Sequence, residues 1–559
     1  MVEDLARRAR DWLAQDPDPD TRAELTALLD SGDLAALRDR FETRLEFGTA
    51  GLRGELGAGP NRMNRVTVMR AAAGLAAVLG PGRHVVIGYD ARHKSDVFAR
   101  DTAAVLTGAG LRASLLPGPL PTPVLAFAVR RLGADAGVTV TASHNPPRDN
   151  GYKVYWGDGS QIVPPVDARI SAAIDAVGRV DELPLGPPAS GAAGLFVQLD
   201  DSIVAAYVEA VTALPLGEAR ELRIAYTPLH GVGAGTLARA FTAAGFEAPV
   251  AVPEQREPDP EFPTVAFPNP EEPGAMDLAF ALAARVGADL VLANDPDADR
   301  CAVGVPVGDG AYRMLTGDEV GGLLAERVLR LTSGDDRLVA TTIVSSSLLG
   351  RIADSYGVRH AETLTGFKWI MKAGEGLLFG YEEALGYSVG SDTEPGSETK
   401  GSWLPVHDKD GIGAALTVAG LAADAKRDGR TLLDLLDDQA RRYGLHATSQ
   451  LSVRVGDLSL ITEAMTRLRA NPPATLAGRT VEAVDDLREG AGGLPPTDGL
   501  RYRLSGGARV VVRPSGTEPK LKSYLEVVVP VTGEVSTARA QATTALEALS
   551  TDLRTALGL

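Results

Sequence analysis

The sequence predicts an α/β protein of several domains, and three observations lead to that prediction. Short apolar runs alternate with long Ala- and Leu-rich stretches through most of the chain before residue 443. This rhythm is typical of mainly parallel sheets covered by helices. Polar residues stand directly after the apolar runs, where α/β folds place their ligands. The last stretch, 445–559, mixes strand-like and helical runs and favours an α+β domain.

Six apolar runs have the length and composition of buried strands. They lie at 84–89, 137–140, 222–226, 289–293, 338–344 and 509–512. Two helices are expected before them, at 4–15 and 21–29, with Asp20 as the N-cap of the second helix. A Pro/Gly/Ala-rich linker spans 184–194. We therefore expect a helical extension at 1–40 and four domains, at 41–200, 201–310, 311–443 and 444–559.

Length and composition narrow the class of protein. A chain of 559 residues, 44% hydrophobic and 23% charged, is globular and large enough for several domains. The net charge of −17 argues against a nucleic-acid partner. The single cysteine, Cys301, excludes an intrachain disulfide and suits a reducing cytoplasm. No secretion signal or membrane-spanning run is visible, so we expect a cytoplasmic protein without a membrane partner.

The clearest chemical signal is the run TVTASHNPP at 139–147, followed by NGYK at 150–153. Ser143 comes within three residues of a buried strand, and the two prolines stop the backbone from continuing as strand or helix. His144 is adjacent and Lys153 is one short loop away. A lone serine that opens a turn is the commoner case. With cationic neighbours, however, Ser143 suits a nucleophile or a phosphate carrier.

An acidic turn follows the predicted strand at 289–293. Asp295, Asp297 and Asp299 stand at alternate positions and can converge on one hard divalent cation, although an isolated acidic turn is the commoner meaning of such a run. The turn is not an EF-hand loop, because its sixth position is Arg300 rather than glycine. The sequence therefore offers a candidate magnesium site here.

Further segments suit the binding of phosphate and sugar. Arg53 lies in a Gly-rich stretch at 45–54 and can present a fork of donors to a phosphate. Glu382 and Glu383 form a Gly-flanked acidic turn that suits sugar hydroxyls. A guanidinium, hydroxyls, a glycine backbone and two lysines make an anion-binding segment near the C terminus: Arg513, Ser515, Gly516, Thr517, Lys520 and Lys522.

Nucleotide chemistry is disfavoured. The run GVGAG at 231–235 follows a predicted strand, but the sixth position of the dinucleotide fingerprint is Thr236, so the pattern fails. No Walker A pattern is present either. ATP and NAD dependence are therefore not expected.

In this order along the chain, the segments resemble those of the α-D-phosphohexomutases, the phosphoglucomutases, phosphomannomutases and their relatives. The resemblance implies three similar α/β domains and a smaller C-terminal domain around a central cleft. It also implies a phosphoserine at Ser143 and one Mg2+ held by that phosphoserine and the aspartates at 295, 297 and 299. Arg53 and Lys409, which stands before an Asp-Gly pair, match active-site cations of the family. Arg300 matches the arginine that ends the magnesium loop.

The resemblance is weakest in the sugar-specificity loop. Glu382 matches the family glutamate, but Ala384 stands where the family usually has serine, so hexose selectivity does not carry over. Tyr387 stands where some relatives have histidine. The upstream segment with Thr365, Gly366 and Lys368 resembles the long branch of the family that includes phosphopentomutases.

The expected function is a mutase that moves phosphate between positions 1 and 6 of glucose or mannose phosphate. A sugar bisphosphate is the expected intermediate or activator, and Lys153 or His144 the expected acid/base. Movement between positions 1 and 5 of a pentose is the second hypothesis, motivated by Ala384. A sugar phosphatase and a non-enzymatic sugar-phosphate binding protein are more distant ones. A sugar phosphate is the expected partner, and the protein is expected to be a monomer or homodimer.

Overall fold

The structure is a computed structural model that describes residues 2–48, 51–186, 194–397, 400–457, 459–515 and 520–558. Contacts divide the chain into two compact units. The first comprises Met1–Met314, Gly386–Val389 and Leu404–Gly420, and the second Leu315–Leu385, Gly390–Trp403 and Leu421–Leu559. Among the described helices, none is long and apolar enough to cross a lipid bilayer. The predicted division into five segments stays a prediction.

Three helices precede the first sheet. The first two lie close to the predicted positions, and the third is absent from the prediction. Asp18, not Asp20, caps the second helix, because its side chain accepts the N–H of Asp20. The helices bury Leu25 and Phe41 in a shared apolar core. They are α1 (Val2–Gln15), α2 (Pro19–Ser31) and α3 (Leu34–Phe41).

A six-stranded mixed sheet forms the core of the next segment. Its order is β1-β5-β4-β2-β3-β6, in which β4, β2, β3 and β6 are parallel and β1 and β5 are antiparallel. The sheet is mainly parallel, as expected, and its antiparallel pairs lie at one edge, where the short loop after β4 returns the chain directly into β5. The elements are β1 (Gly51–Glu55), α4 (Arg65–Leu79), β2 (His84–Tyr89), α5 (Ser95–Gly108), β3 (Arg112–Leu115), α6 (Thr122–Arg131), β4 (Ala136–Val140), β5 (Asp149–Trp156), α7 (Val166–Asp175) and β6 (Phe196–Gln198).

A five-stranded sheet completes the α/β part of the first unit. Its order is β11-β10-β9-β7-β8. Strands β9, β7 and β8 are parallel, whereas β10 is antiparallel to both of its neighbours, β9 and β11. The predicted strands at 222–226 and 289–293 correspond to β7 and β9. The elements are α8 (Ser202–Thr212), β7 (Ile224–Thr227), α9 (Gly233–Ala243), β8 (Val250–Ala251), α10 (Asp277–Val286), β9 (Leu290–Ala293), β10 (Ala302–Gly308) and β11 (Ala311–Met314).

The second unit begins with parallel strands in the order β13-β12-β14. A capping box starts its first helix: Thr316 accepts the N–H of Glu319, whose carboxylate accepts the N–H of Thr316. The predicted strand at 338–344 ends two residues earlier. The elements are α11 (Gly317–Leu331), β12 (Leu338–Thr342), α12 (Leu348–Ser355), β13 (Arg359–Thr363), α13 (Phe367–Ile370) and β14 (Leu377–Glu382).

The chain then returns to the first unit for two short segments. Gly386 pairs with Arg300, and the N–H of Asp410 donates to the carbonyl of Tyr387 at 2.8 Å. Lys409 is thereby brought close to the acidic turn after β9. The elements of this stretch are β15 (Gly386–Val389), β16 (Ser391–Thr393), β17 (Lys400–Trp403), α14 (Gly411–Arg427) and α15 (Leu432–Tyr443).

The C-terminal part of the second unit is an antiparallel sheet with helices, as the α+β expectation requires. Its order is β18-β23-β22-β21-β20-β19. Apolar side chains of the sheet and of α16 and α17 form one core that includes Leu468, Val510 and Leu553. The elements are β18 (Leu445–Arg454), α16 (Ser459–Ala470), β19 (Thr475–Leu476), β20 (Arg479–Asp486), β21 (Leu500–Leu504), β22 (Arg509–Pro514), β23 (Lys520–Val529) and α17 (Val535–Leu557).

Candidate active site

Ser143 lies just beyond the C-terminal end of β4, as predicted. Its backbone is left-handed, with φ of 52°, which is uncommon for a residue with a side chain. The N–H of Ser143 donates to Thr141 Oγ1 at 2.8 Å. Its Oγ donates to Asp295 Oδ2 at 2.6 Å and lies 3.1 Å from His144 Nδ1. The serine therefore faces the acidic turn after β9.

The acidic turn fits a divalent cation. Asp295, Asp297 and Asp299 are buried, and one carboxylate oxygen from each lies within 4.8 Å of the others. Oδ1 of Asp297 and Oδ1 of Asp299 accept no hydrogen bond from any residue in the described ranges. Buried acceptors are normally satisfied, and three converging carboxylates are the donor set that Mg2+ prefers. The arrangement can hold a hard cation.

Cations surround these carboxylates. Lys153, on β5, donates from Nζ to Asp297 Oδ2 at 2.7 Å and to Asp299 Oδ2 at 3.0 Å. Lys409 Nζ lies 3.3 Å from Asp299 Oδ2. Arg300 Nε lies 4.0 Å from Asp299 Oδ1. The structure thus brings together the predicted serine, aspartates and three of the predicted cations.

Burial and charge shift the pKa values in this cluster. Burial, and then the charges of Asp297 and Asp299, raise the pKa of the Asp295 carboxyl well above its usual range. Burial alone would lower the pKa of Lys153, but the same two carboxylates outweigh it and raise that pKa. Burial, and then neighbouring guanidinium groups, hold the pKa of His144 well below its usual range. The imidazole is therefore neutral at neutral pH.

Arg53 reaches the same loop from β1. Its Nη1 donates to Asn145 Oδ1 at 3.1 Å. At Gly51, β1 passes so close to β5 that an added Cβ would lie 1.9 Å from the carbonyl oxygen of Tyr152. The φ of Gly51 is 115°, which also favours glycine. Glycine is therefore required at position 51. Residues 49–50 of the motif lie outside the described residues.

The acidic turn is supported by residues that the sequence did not single out for this role. Thr122 Oγ1 donates to Asp297 Oδ2 at 2.8 Å. A Cβ on Gly231 would lie 2.3 Å from Cα of Pro296, and the N–H of Val232 donates to the Pro296 carbonyl at 2.8 Å. The glycine-rich run that imitates a dinucleotide fingerprint therefore packs against the acidic turn. Only the fold shows this role, because the partners are far apart in sequence.

Lys409 is held by its neighbours in the chain. The carboxylate of Asp408 accepts the hydroxyl of Tyr155 at 2.8 Å, and that of Asp410 accepts the hydroxyl of Tyr207 at 2.6 Å. Asp408 and Asp410 are both buried. Because the residues on either side are anchored, the backbone of Lys409 is held in place and its ammonium group lies beside Asp299.

In the second unit, the predicted acidic pair lies at the end of a strand. Glu382 is the last residue of β14 and is buried. Glu383 Oε2 accepts the hydroxyl of Ser345 at 3.0 Å. Burial, and then the charge of Glu382, raise the pKa of Glu383 to about 7. The Glu383 carboxyl is thus partly protonated at neutral pH.

The predicted loop before this strand contains a single helical turn. Thr365 and Gly366 precede α13, and φ of Gly366 is 111°. Lys368 lies in the helical turn, is buried, and places Nζ 5.6 Å from the ring centre of Trp369. Lys368 is therefore a buried cation beside an aromatic ring, and not an exposed surface lysine.

The predicted anion-binding segment is the end of the β22–β23 hairpin. Arg513 stands directly opposite Lys522, and the N–H of Ser515 donates to the carbonyl of Lys520 at 2.8 Å. Residues directly opposite each other on paired strands lie on the same face. A guanidinium and an ammonium group therefore lie side by side at these strand ends. The other two predicted residues, Gly516 and Thr517, lie outside the described residues.

Comparison with known proteins identifies the family. Models of phosphoglucomutase/phosphomannomutase α/β/α domains I, II and III match residues 44–180, 205–308 and 316–443, and the model of the C-terminal domain matches 453–531. The chain is 45% identical to "Probable phosphomannomutase" of Haemophilus influenzae, over 83% of this chain and 93% of that protein. It is 34% identical to mouse phosphopentomutase, over 94% of this chain and 90% of that protein.

A solved structure has the same fold. The phosphoglucomutase parafusin of Paramecium, in an open form, superposes with a TM-score of 0.67 over 92% of this chain and 97% of its own, at 17% identity. The expected four-domain α/β architecture is thereby supported. With four family domains matched in order, the chain belongs to the phosphoglucomutase/phosphomannomutase family and is a phosphomutase, an isomerase of the intramolecular phosphotransferase class.

Proposed function

We propose that the protein interconverts sugar monophosphates by way of a phosphoryl group carried on Ser143. One observation supports this most directly: Ser143 Oγ lies 2.6 Å from Asp295 Oδ2, at the edge of the converging aspartates. A serine used only to open a turn needs no such partner. A serine that carries a phosphoryl group needs a cation beside it, since phosphoserine brings about −1.5 to −2 charge at neutral pH.

We propose that Mg2+ is held by Asp295, Asp297 and Asp299 together with an oxygen of phosphorylated Ser143. Bound there, the ion supplies charge neutralisation for the phosphoryl group during transfer. The unpartnered Oδ1 atoms of Asp297 and Asp299 support the assignment. One ion is expected in each site.

The proposed reaction has two matched half-steps. In the first, the bond from phosphorus to Ser143 Oγ breaks and a bond from phosphorus to a free hydroxyl oxygen of the sugar monophosphate forms. The proton of that hydroxyl passes by way of His144 or Lys153 to Ser143 Oγ, which leaves as a hydroxyl. In the second, the other phosphoryl group of the resulting bisphosphate is transferred to Ser143 Oγ, whose proton returns by the same route to the displaced sugar oxygen. The sugar bisphosphate is thus both the intermediate and the compound that can load Ser143.

His144 and Lys153 differ in their suitability as the base. His144 Nδ1 lies 3.1 Å from Ser143 Oγ, within reach of atoms that react at the serine. Lys153 already donates to two carboxylates, which suits an acid that returns a proton. Arg53 and Lys409 are proposed to offset charge on the phosphoryl group.

Further residues are proposed to bind the rest of the substrate. Arg513 and its strand partner Lys522 suit the phosphate that is not reacting, because a guanidinium and an ammonium group on one face are good partners for an anion. Glu382 and Glu383 suit sugar hydroxyls. The full proposed set adds Arg300 and the loop residues: Arg300, Thr365, Gly366, Lys368, Glu382, Glu383, Arg513, Ser515, Gly516, Thr517, Lys520 and Lys522.

The first proposed substrate is glucose or mannose phosphate, with phosphate moving between positions 1 and 6. The name of the relative that shares 45% identity supports mannose. A pentose phosphate, with movement between positions 1 and 5, is the second candidate. Ala384 offers no hydroxyl for a hexose contact, and phosphopentomutases align over 94% of this chain. Monomers or homodimers in a reducing cytoplasm suit either candidate.

A panel of sugar 1-phosphates followed by 31P NMR tests the proposal, with Ser143→Ala and Ser114→Ala as a matched pair. Ser114 is a buried serine of the same sheet that contacts His84. We expect isomerisation by the wild type and by Ser114→Ala, and none above background by Ser143→Ala. Intact mass should show a phosphate on the wild type that Ser143→Ala lacks. Free phosphate released in step with substrate loss would instead indicate a phosphatase, and preference for pentose would replace the hexose assignment.

A further inference from the structure

Arg92 is a buried guanidinium that none of the roles above uses. It follows β2 closely in the chain, and 1% of its side chain is exposed. Its Nε lies 3.5 Å from Oδ2 of Asp90, which is equally buried. The pair is therefore close to neutral, as a buried arginine requires. A buried ion pair is weak evidence for stability alone, so what the guanidinium contacts decides its role.

All four hydrogen bonds of this guanidinium go to the backbone of the serine loop. Nη2 donates to the carbonyl of Ser143 at 2.6 Å and to that of Asn145 at 2.5 Å. Nη1 donates to the carbonyl of Pro146 at 2.7 Å and to that of Asp149 at 3.1 Å. One side chain thus donates hydrogen bonds to four carbonyl oxygens of the loop that begins at Ser143.

The loop's own backbone offers these carbonyls few donors: the N–H of Asp149 donates to the carbonyl of Pro146 at 3.1 Å. Pro146 and Pro147 have no N–H to donate, and the left-handed conformation of Ser143 is a backbone state that its surroundings must impose. A planar fork of donors matches several carbonyls at once, whereas an ammonium group offers three donors around one point. The ring of Phe262 covers the guanidinium at 4.9 Å from its centre and fixes its plane.

We infer that Arg92 is a positioning residue for the phosphoryl transfer: it holds the carbonyls of Ser143 and the following turn so that Ser143 Oγ faces the aspartates. The inference rests on the proposed function, in which Ser143 carries the phosphoryl group. Arg92 contacts Ser143 at its backbone carbonyl and not at the reacting oxygen. Its effect is on where the serine oxygen lies, so it should appear in kcat and in the order of the loop.

Arg92→Lys tests the inference, because it keeps the charge and removes the planar fork. We expect kcat to fall about 100-fold with KM changed less than about twofold, since a displacement of about 1 Å costs that much in rate. Hydrogen exchange should accelerate in peptides that cover 143–151 and stay unchanged elsewhere. Arg65→Lys is the matched control: it removes a two-bond pairing with Asp101 in the same unit, and should leave kcat and this exchange unchanged.

A second variant covers the case in which Arg92→Lys does not fold. Phe262→Leu keeps the guanidinium and removes the ring that covers it, so we expect a smaller loss of kcat, about fivefold, with the same local exchange. Wild-type kcat in either folded variant, or loss of activity that follows only the loss of folded protein, would overturn the inference. If Ser143→Ala still isomerises sugar phosphates, the proposed function itself fails, which is a distinct result.

Discussion

Each unit contains a cluster of buried acidic side chains, and the two clusters differ in how their charge is balanced. In the first unit, Asp295, Asp297 and Asp299 converge, and two of their oxygens accept no hydrogen bond from the described residues. In the second unit, Glu526 is equally buried and its Oε2 also accepts no hydrogen bond from the described residues, but the guanidinium of Arg509 lies 2.9 Å from that oxygen. The difference lies in whether the chain places a cation directly beside the open oxygen, and not in the degree of burial.

The contacts of Glu526 show what a satisfied buried acid looks like. Its Oε1 accepts the hydroxyl of Ser346 at 2.8 Å and the N–H of Ser347 at 2.7 Å. Its Oε2 lies 2.9 Å from Arg509 Nη2. Burial opposes ionisation, but Arg509 and then His446 outweigh it and hold the pKa of Glu526 at about 2. This cluster needs no ligand, and we interpret it as structural.

The comparison therefore separates a binding cluster from a structural one by an observable criterion. Buried polar atoms are nearly always satisfied, so buried oxygens with neither a hydrogen bond nor an adjacent cation indicate a missing partner. A satisfied set indicates that the protein supplies the partner itself. Substitution in the first cluster should cost activity, and substitution in the second should cost stability.

The largest expected effect is that of Asp297→Asn on turnover. Loss of one ligand charge should lower kcat at least about 1,000-fold in saturating Mg2+, because the ion contributes several kcal/mol to the transition state. The free energy of unfolding should change by less than about 1 kcal/mol, since Lys153 keeps Asp299 and carboxylate repulsion falls. Steady-state kinetics and urea unfolding measure the two quantities.

Asp135→Asn is the control for this substitution. Asp135 pairs with Arg83 at 2.8 Å just before β4, at the end of that strand opposite to Ser143. Its kcat should equal that of the wild type. A wild-type rate for Asp297→Asn in excess Mg2+ would remove Asp297 from the metal site.

Glu526→Gln should show the opposite profile. Breaking the buried pairing with Arg509 should cost about 3 kcal/mol in the free energy of unfolding. Arg509 keeps its ion pair with Glu362, at 2.9 Å. The loss of unfolding free energy therefore stays at the lower end of the range for broken buried ion pairs. Below the unfolding temperature, kcat should fall less than about tenfold, because one point of anchoring is lost and no reacting group.

The measurement is urea unfolding beside kinetics at low temperature, with Glu326→Gln as control. Glu326 pairs with Arg442 at 3.1 Å in a half-exposed ion pair, which contributes no more than about 1 kcal/mol. A loss of activity without loss of stability in Glu526→Gln would contradict the structural interpretation of this cluster.

Local sequence patterns predicted most of the first cluster. Strand, serine and prolines lie within a few residues at 137–147, and the aspartates alternate directly after β9, so neither prediction needed long-range contacts. The strand at 84–89 is found with the same bounds, as β2. Such features depend on the chain's local preferences, which is why sequence reasoning finds them.

The sequence does not show which polar residues become buried or what they meet. Arg92 and Ser346 follow strands, as many polar residues do, yet Arg92 binds carbonyls about 50 residues away and Ser346 binds Glu526, 180 positions later. The contact from Tyr155 to Asp408 spans 253 positions. Partners at such separations are fixed by packing, and no local pattern indicates them.

Glu383 gives the smallest and sharpest test, because it lies between the two cases: half-buried, and held by hydroxyl groups instead of cations. Burial, and then the charges of Glu382 and Asp318, raise its pKa from 4.5 to about 7. Such a group stabilises the folded state when protonated, so stability is highest below pH 4.5 and falls as pH rises through 7. The full shift corresponds to about 3 kcal/mol, and partial exposure reduces the expected loss to about 2 kcal/mol.

Unfolding free energies measured from pH 4.5 to 8 for the wild type and Glu383→Gln test this. The difference between the two curves should follow a single titration, with Gln removing the decline. Glu382→Gln should move the midpoint towards 4.5 without removing the titration, because it deletes one neighbouring charge and leaves the burial. Parallel wild-type and Glu383→Gln curves would mean that Glu383 is ionised throughout, like Glu526. The converging aspartates would then be the one binding cluster of this comparison, and Glu383 would belong with the structural acids.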